Sequence, residues 1–291
     1  MKLLLKFNLI FLAVFGLGLA ATGYTAHQFL SNNARDQVLQ QARLMMETTM
    51  ASRTYTTKQI RPLLEPRQNK EQVFFPQSVP AYAATQVFTF LRGKFSDYAY
   101  KEATLNPTNP LDRAVEWESD VINLFRNNEK LGEFIGERDT PSGRSLYLAM
   151  PIKVAQSCLV CHSTPSVAPP EMVKVYGPNN GFGWKLGEVI AAQIVSVPMS
   201  VPVSIARNAF FNLMVWLAAI AIVSLVLLNL SLIVAVIRPV GRMSEAADEI
   251  SKGNLETVEL EVKGKDEIAV LAGSFNRMHR SLVKAMKMLE E

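Results

Sequence analysis

Cys158 and Cys161, the chain's two cysteines, stand in the run Cys158-Leu159-Val160-Cys161-His162. Two thiols at this spacing can each form a thioether with one of the two vinyl groups of a single haem, and the adjacent histidine is then delivered to the iron. The run therefore predicts one covalently bound haem c per chain, with His162 as an axial metal ligand. Two other chemistries use paired cysteines. A thioredoxin-like pair wants a strand leading straight into a helix, whereas Ser163, Thr164, Pro165 and the Pro169-Pro170 pair follow here. A zinc site needs two more ligands, and the other histidines, His27 and His279, lie far away in sequence.

The elements around this motif belong to a membrane protein. Apolar residues make up 49% of the chain, and they are clustered. Phe7 to Ala26 is a run of 20 residues without a charge, and Phe210 to Ile237 is a second of 28. Each is long enough to cross a hydrocarbon core. Lys2 and Lys6 precede the first span, and Arg238, Arg242 and Lys252 follow the second. By the positive-inside bias both ends face the cytoplasm and the loop between the spans is exported. Covalent haem attachment on the exported side of a bacterial membrane agrees with that topology. The first span is also readable as a signal peptide, with small residues at Gly18 to Ala21 and at Thr25-Ala26, but its length favours retention. A net charge of +4, placed beside the spans, reports topology and not nucleic-acid binding.

Between the spans the pattern predicts an α+β domain. Ser31 to Arg61 reads as a helix continuing out of the first span, with Val38, Ala42 and Met45 on one face and Pro62 ending it. A short helix is expected from Ser78 as N-cap, with Ala84, Val87 and Leu91 on its face. Tyr98 to Thr104 reads as a strand, and Asp112 to Asn127 as a helix carrying Ala114, Trp117, Val121 and Phe125. Glu133–Glu137 and Arg144–Val154 flank a turn around Gly143 as a hairpin with a longer loop. Trp184 to Val201 reads as a last strand, in which Val189, Ala191 and Ile194 lead into Val195 to Val201.

The runs Ala42-Arg43-Leu44-Met45-Met46, Ala51-Ser52-Arg53-Thr54-Tyr55-Thr56 and Ile60-Arg61-Pro62-Leu63 resemble the opening helix of the Tll-type c-haem sensor domain, a family long catalogued as a domain of unknown function. The hairpin, the Met150-Pro151 step and Cys158 to His162 are similar to its second half. The resemblance covers residues 31 to 200. It implies a PAS-like fold around one haem, with His162 as an axial ligand and the helix of Met45 and Met46 over the haem. On that basis Met45 and Met46 are the first candidates for the sixth iron position, ahead of Met50, Met150, Met172 and Met199, although such methionines are more often core filler. Arg53 and Tyr55 are candidates to hydrogen-bond the haem propionates, the ordinary alternative being solvated helix surface.

After the second span Val240, Met243, Ala247 and Ile250 recur at helical spacing, and Ile268, Leu271, Phe275, Met278, Leu282, Ala285 and Leu289 form an a/d heptad. Such short seams favour a parallel homodimer. Pro239, Gly253, Leu255, Asp266-Glu267 and Phe275 to Met278 make this segment similar to a HAMP domain, with Ala269 where many members carry Gly. The resemblance implies an all-α coiled-coil relay of displacements of the second span. The organisation expected is a cytoplasmic N-terminus (1–6), a first span (7–26), an exported haem domain (27–207), a second span (208–237) and a HAMP domain (238–291).

No enzymatic activity is expected, since no distal histidine is available for acid–base work. The expected function is a haem-based sensor of redox poise or a diatomic gas, in a bacterial inner or thylakoid membrane, with the haem on the periplasmic or lumenal side. With no kinase, cyclase or other output module before Glu291, its reader is expected to be a separate cytoplasmic signalling protein such as a histidine kinase or cyclase. The alternative is a membrane-anchored electron-transfer cytochrome or an accessory subunit of a membrane complex.

Overall fold

The structure, a computed structural model, describes residues 3–255, 259–261 and 264–290. Lys2, used above for topology, the side chain of Leu289 and part of the connector before Lys265 lie outside the described residues. The helices are α1 (Leu3–Tyr55), α2 (Arg61–Glu71), α3 (Pro80–Arg92), α4 (Glu116–Asn127), α5 (Leu159–His162), α6 (Pro170–Tyr176), α7 (Ser200–Leu232), α8 (Arg238–Ser251) and α9 (Glu267–Glu290). The strands are β1 (Ala99–Thr104), β2 (Phe134–Thr140), β3 (Gly143–Lys153) and β4 (Val189–Pro198). They divide into two compact units, His27–Ala209 and Met1–Ala26 with Phe210–Glu291.

In the first unit the four strands form one antiparallel sheet in the order β1-β4-β3-β2. Strand alternation sends successive side chains to opposite faces, so the sheet has two cores. On one face Val38, Ala42 and Met46 of α1, with Ala84 and Phe88 of α3, pack on Tyr100, Leu146, Leu148, Val195 and Val197. On the other, Val121, Ile122 and Phe125 of α4 pack on Ala103, Tyr147, Ala149, Ala192 and Ile194. Helices with an antiparallel sheet are the architecture the sequence pattern predicts.

Four details differ. Pro62 does not end the first helix. A π-helical turn, Thr56–Ile60, shifts the hydrogen-bond register so that Arg61 N–H bonds Thr56 O, and the helix resumes through Pro62 and Pro66 to Glu71, with Gln72 as its left-handed C-cap. The wider turn accommodates a proline that would clash with the carbonyl four residues back in an unbroken α-helix. On α3 the buried face is Ala84, Phe88 and Leu91, with Val87 43% exposed, and the N-cap is Val79, not Ser78, whose hydroxyl donates back to Phe75 O. α4 starts at Glu116, where Glu118 accepts from Val115 N–H at 2.9 Å, and Asp112 lies in a preceding 3-10 turn. The hairpin closes on Pro141-Ser142, with Thr140 paired to Gly143, a tighter turn than the composition implied.

The second unit holds two apolar helical stretches long enough to cross a membrane, one in α1 and one in α7. α7 passes through a π turn, Ile233–Ile237, into α8. Asn8 and Asn229 exchange side-chain hydrogen bonds of 3.0 and 2.8 Å. Within the tail the buried positions of α9 include Ala269, Ala272, Asn276 and His279. Asn276 donates to and accepts from the backbone of Leu260, and His279 Nε2 lies 3.2 Å from Leu255 O. The heptad seam is displaced from this face: Leu271, Met278 and Leu282 stay 51, 60 and 42% exposed.

Candidate haem site

Strand β3 leaves the sheet through a bulge at Ile152/Lys153, and the chain makes one excursion before returning as β4. The neck is closed by backbone: Val154 N–H donates to Glu188 O and Gly187 N–H to Val154 O, both at 2.9 Å. Inside it a 3-10 turn, Gln156–Cys158, feeds directly into the four-residue α5. Cys158 and Cys161 thus lie three apart on one helical turn, which places both on the same side. Both are free thiols and half-buried. Cys158, Leu159 and Trp184 pack on a small core of Val154, Ile190 and Ala191.

The return limb of the excursion orients the histidine. Gly183 N–H donates to Ser163 O at 2.9 Å and Trp184 N–H to His162 O at 3.3 Å, so this limb runs beside the motif. The Trp184 ring stacks on the imidazole, with centroids 3.9 Å apart and planes at 14°. His162 Nδ1 lies 2.7 Å from Gly181 O, with Thr108 Oγ1 at 3.4 Å. A carbonyl only accepts, so Nδ1 carries the proton. Burial pushes the His162 pKa down, against the Gly181 bond that raises it. The ring is therefore held neutral with its lone pair on Nε2, the form in which a histidine ligates a metal. Gly181 has φ +82° and its Cβ position would lie 1.9 Å from Thr108 Oγ1, so only glycine brings this carbonyl here.

The donor set fits a c-type haem: two thiols on one turn and one imidazole with a free Nε2. Among the described residues there is no group of three or more His, Cys, Asp or Glu that could hold a metal ion. Burial pushes the Cys161 thiol up, Arg61 acts to lower it, and Cys158 and Glu65 add to the rise. Arg61 and Glu65 of α2 are thus the residues of the long helix whose charges act on the motif.

The structure does not bring Met45 and Met46 to the motif. Met46 is 1% exposed in the core between α1 and the sheet, and Met45 packs against that same core. Arg61 is 15 residues further along, about 22 Å at 1.5 Å per residue. Of the other methionines, Met150 and Met199 belong to that core too, Met50 is 37% exposed, and Met172 lies buried on α6 within the haem excursion. Arg53 is committed elsewhere. It pairs with the Glu102 carboxylate, which also accepts from Tyr100 Oη at 2.7 Å, while Gln193 donates to Tyr100 Oη at 3.2 Å. Burial works to lower the Arg53 pKa, but Glu102 and Tyr100 outweigh it and raise it. Tyr55 is 59% exposed on the outer side of α1. Sequence reading missed Thr108, Gly181 and Trp184; the signal was the Gly181-Phe182-Gly183-Trp184 run, whose two glycines both have positive φ.

The Tll0287-like family model matches residues 31–198, and the HAMP domain model matches residues 232–284. Among solved structures the chain is similar to the cyanobacterial heme-protein Tll0287, at 15% identity and a TM-score of 0.43, over 55% of this chain and 94% of that one. No curated protein matches.

Proposed function

We propose that this chain, which belongs to the Tll0287-like family, is a membrane-anchored haem sensor that signals through its HAMP domain to a cytoplasmic protein such as a histidine kinase or cyclase. Cys158 and Cys161 hold one haem covalently and His162 ligates its iron, on the exported side of a bacterial membrane. The observation that carries this reading is the Nδ1–H bond from His162 to Gly181 O, which leaves Nε2 free beside two thiols on one turn. When bound, haem supplies an iron that changes oxidation state or takes up a diatomic gas.

The chain's own elements provide two covalent routes toward the membrane. α2, whose Arg61 and Glu65 act on Cys161, joins α1 through the π turn, and α1 contains the first apolar stretch. β4 begins at the neck of the haem excursion and runs to Pro198, just ahead of α7. A bistable helical bundle biased from either route is a recognised switching device. The exposed seam of α9 supports a homodimer as the signalling unit.

The test is absorption spectroscopy of the full chain made in a host that attaches c-type haem, ferric and ferrous, before and after CO. Haem retained on a denaturing gel supports the covalent site. A ferrous spectrum unmoved by CO favours redox sensing or electron transfer, and CO uptake favours gas sensing. The Cys158→Ala/Cys161→Ala variant should lose covalent haem and every stimulus-dependent change while α8 and α9 stay helical by circular dichroism. An unaltered response in that variant refutes the mechanism.

A further inference from the structure

The sheet face that carries α4 holds a cavity of about 300 Å³ near its β1 edge, whose walls include neither cysteine nor His162. Its walls include Thr85 and Arg92 of α3, Lys101 of β1, Trp117 of α4, Arg138 of β2 and Ser196 of β4. Two of its charges cancel. Lys101 Nζ lies 2.7 Å from Glu118 Oε2 and also donates to Arg113 O, and the same carboxylate oxygen accepts from Val115 N–H.

The arginines are different. The Arg138 guanidinium carbon sits 4.5 Å from the Trp117 ring centroid. Stacking covers one face of the guanidinium plane but leaves its in-plane N–H donors available, and that fork matches a carboxylate. Among the described residues neither Arg138 nor Arg92 has a carboxylate at ion-pair distance, and the Thr85 and Ser196 hydroxyls donate no hydrogen bond. Asp112 is the remaining acid in the wall, so the cavity keeps one net positive charge. Ile194, Leu111 and the Trp117 ring supply an apolar side. The volume is at the small end of ligand pockets.

We propose that this cavity is a second binding site, independent of the haem, for a small monocarboxylate with an apolar body. Arg138 and Arg92 take its carboxylate, and Ile194 and Trp117 meet its body. It gives the exported domain a chemical input separate from the iron.

The experiment is calorimetric titration of the haem-loaded full chain in detergent with benzoate, with empty micelles as blank and inorganic phosphate as a bare anion. Saturable binding of one benzoate per chain is expected, weakened at least tenfold by Arg138→Gln and less by Arg138→Lys. Arg92 is exposed, so Arg92→Gln keeps the fold intact and should weaken binding by itself. Absence of saturable binding, parental affinity retained in Arg138→Gln or in Arg92→Gln, or phosphate binding as tightly as benzoate would each overturn the proposal. The haem spectrum is read separately, so failure here leaves the haem reading standing.

Discussion

At the scale of single residues, one backbone carbonyl decides the chemistry of the motif. A histidine beside two cysteines is a ligand only in the right tautomer, and Gly181 O selects it. Gly181→Ala forces a side chain at φ +82° against Thr108, including its Cα at 2.9 Å. We expect a loss of about 1–3 kcal/mol in thermal melts, together with a shifted haem potential. Gly177, at φ +80° with nothing within 4 Å of its Cβ position, is the control. Gly177→Ala should cost strain alone and leave the potential unchanged. Asp112 gives a pH prediction. Burial first, then repulsion from Glu102, pushes its carboxyl from 3.8 up to about 6. A raised acid is favoured in its protonated form by the fold, so its ionisation removes stability as pH rises from about 4 to about 6. Asp112→Asn should therefore melt above the parent at pH 7, with the difference vanishing near pH 4. A constant difference across that range would contradict the assignment.

At the scale of elements, the long helix shows how local rules yield to register. Two prolines and a π turn lie in it, yet the helix runs on to Glu71, and this continuation carries Arg61 and Glu65, whose charges act on Cys161. Thr48, Thr49, Thr54, Thr56 and Thr57 each bond the carbonyl four residues back, a pattern that tends to bend helices. The upstream part of the helix is a packing element. Met46→Ala should cost about 2–5 kcal/mol on chemical unfolding while leaving the positions of the haem bands where they are. A ferrous spectrum that turns five-coordinate in this variant would make Met46 the sixth ligand after all.

At the scale of the whole molecule, the two units have different physics. The haem unit is built on sheet cores, whereas the other unit has two apolar stretches that share a polar contact, the Asn8–Asn229 pair. Interhelical hydrogen bonds in lipid are worth about 0.6 kcal/mol on average. Asn229→Leu should weaken association of the two spans by about that amount in a detergent titration, and it should shift the set point of the HAMP response without touching the haem spectrum. In the tail, Asn276 and His279 tie the connector to α9 while the apolar seam stays open. Sequence periodicity found that seam, but the seam and the face packed within one chain are adjacent, not the same. A heptad marks the residues that want an apolar partner and cannot say whether the partner belongs to the same chain.

The sequence by itself determined the haem motif, the two apolar stretches, the mixture of helices and strands between them and the amphipathic seams of the tail, because each is a local signal: a fixed spacing, a charge-free run, a period of 3.6 or 2. Tertiary structure alone decided which groups meet at the motif. Gly181 is 19 residues from His162 and Thr108 is 54 away, and no periodicity connects them. Arg53 looked available in sequence and is paired with Glu102, 49 residues on, because β1 passes beneath that turn of the helix. Met46 faces the sheet for the same reason. Spacing along the chain records what a segment can become, and the packing of distant segments settles which side chains remain free for chemistry.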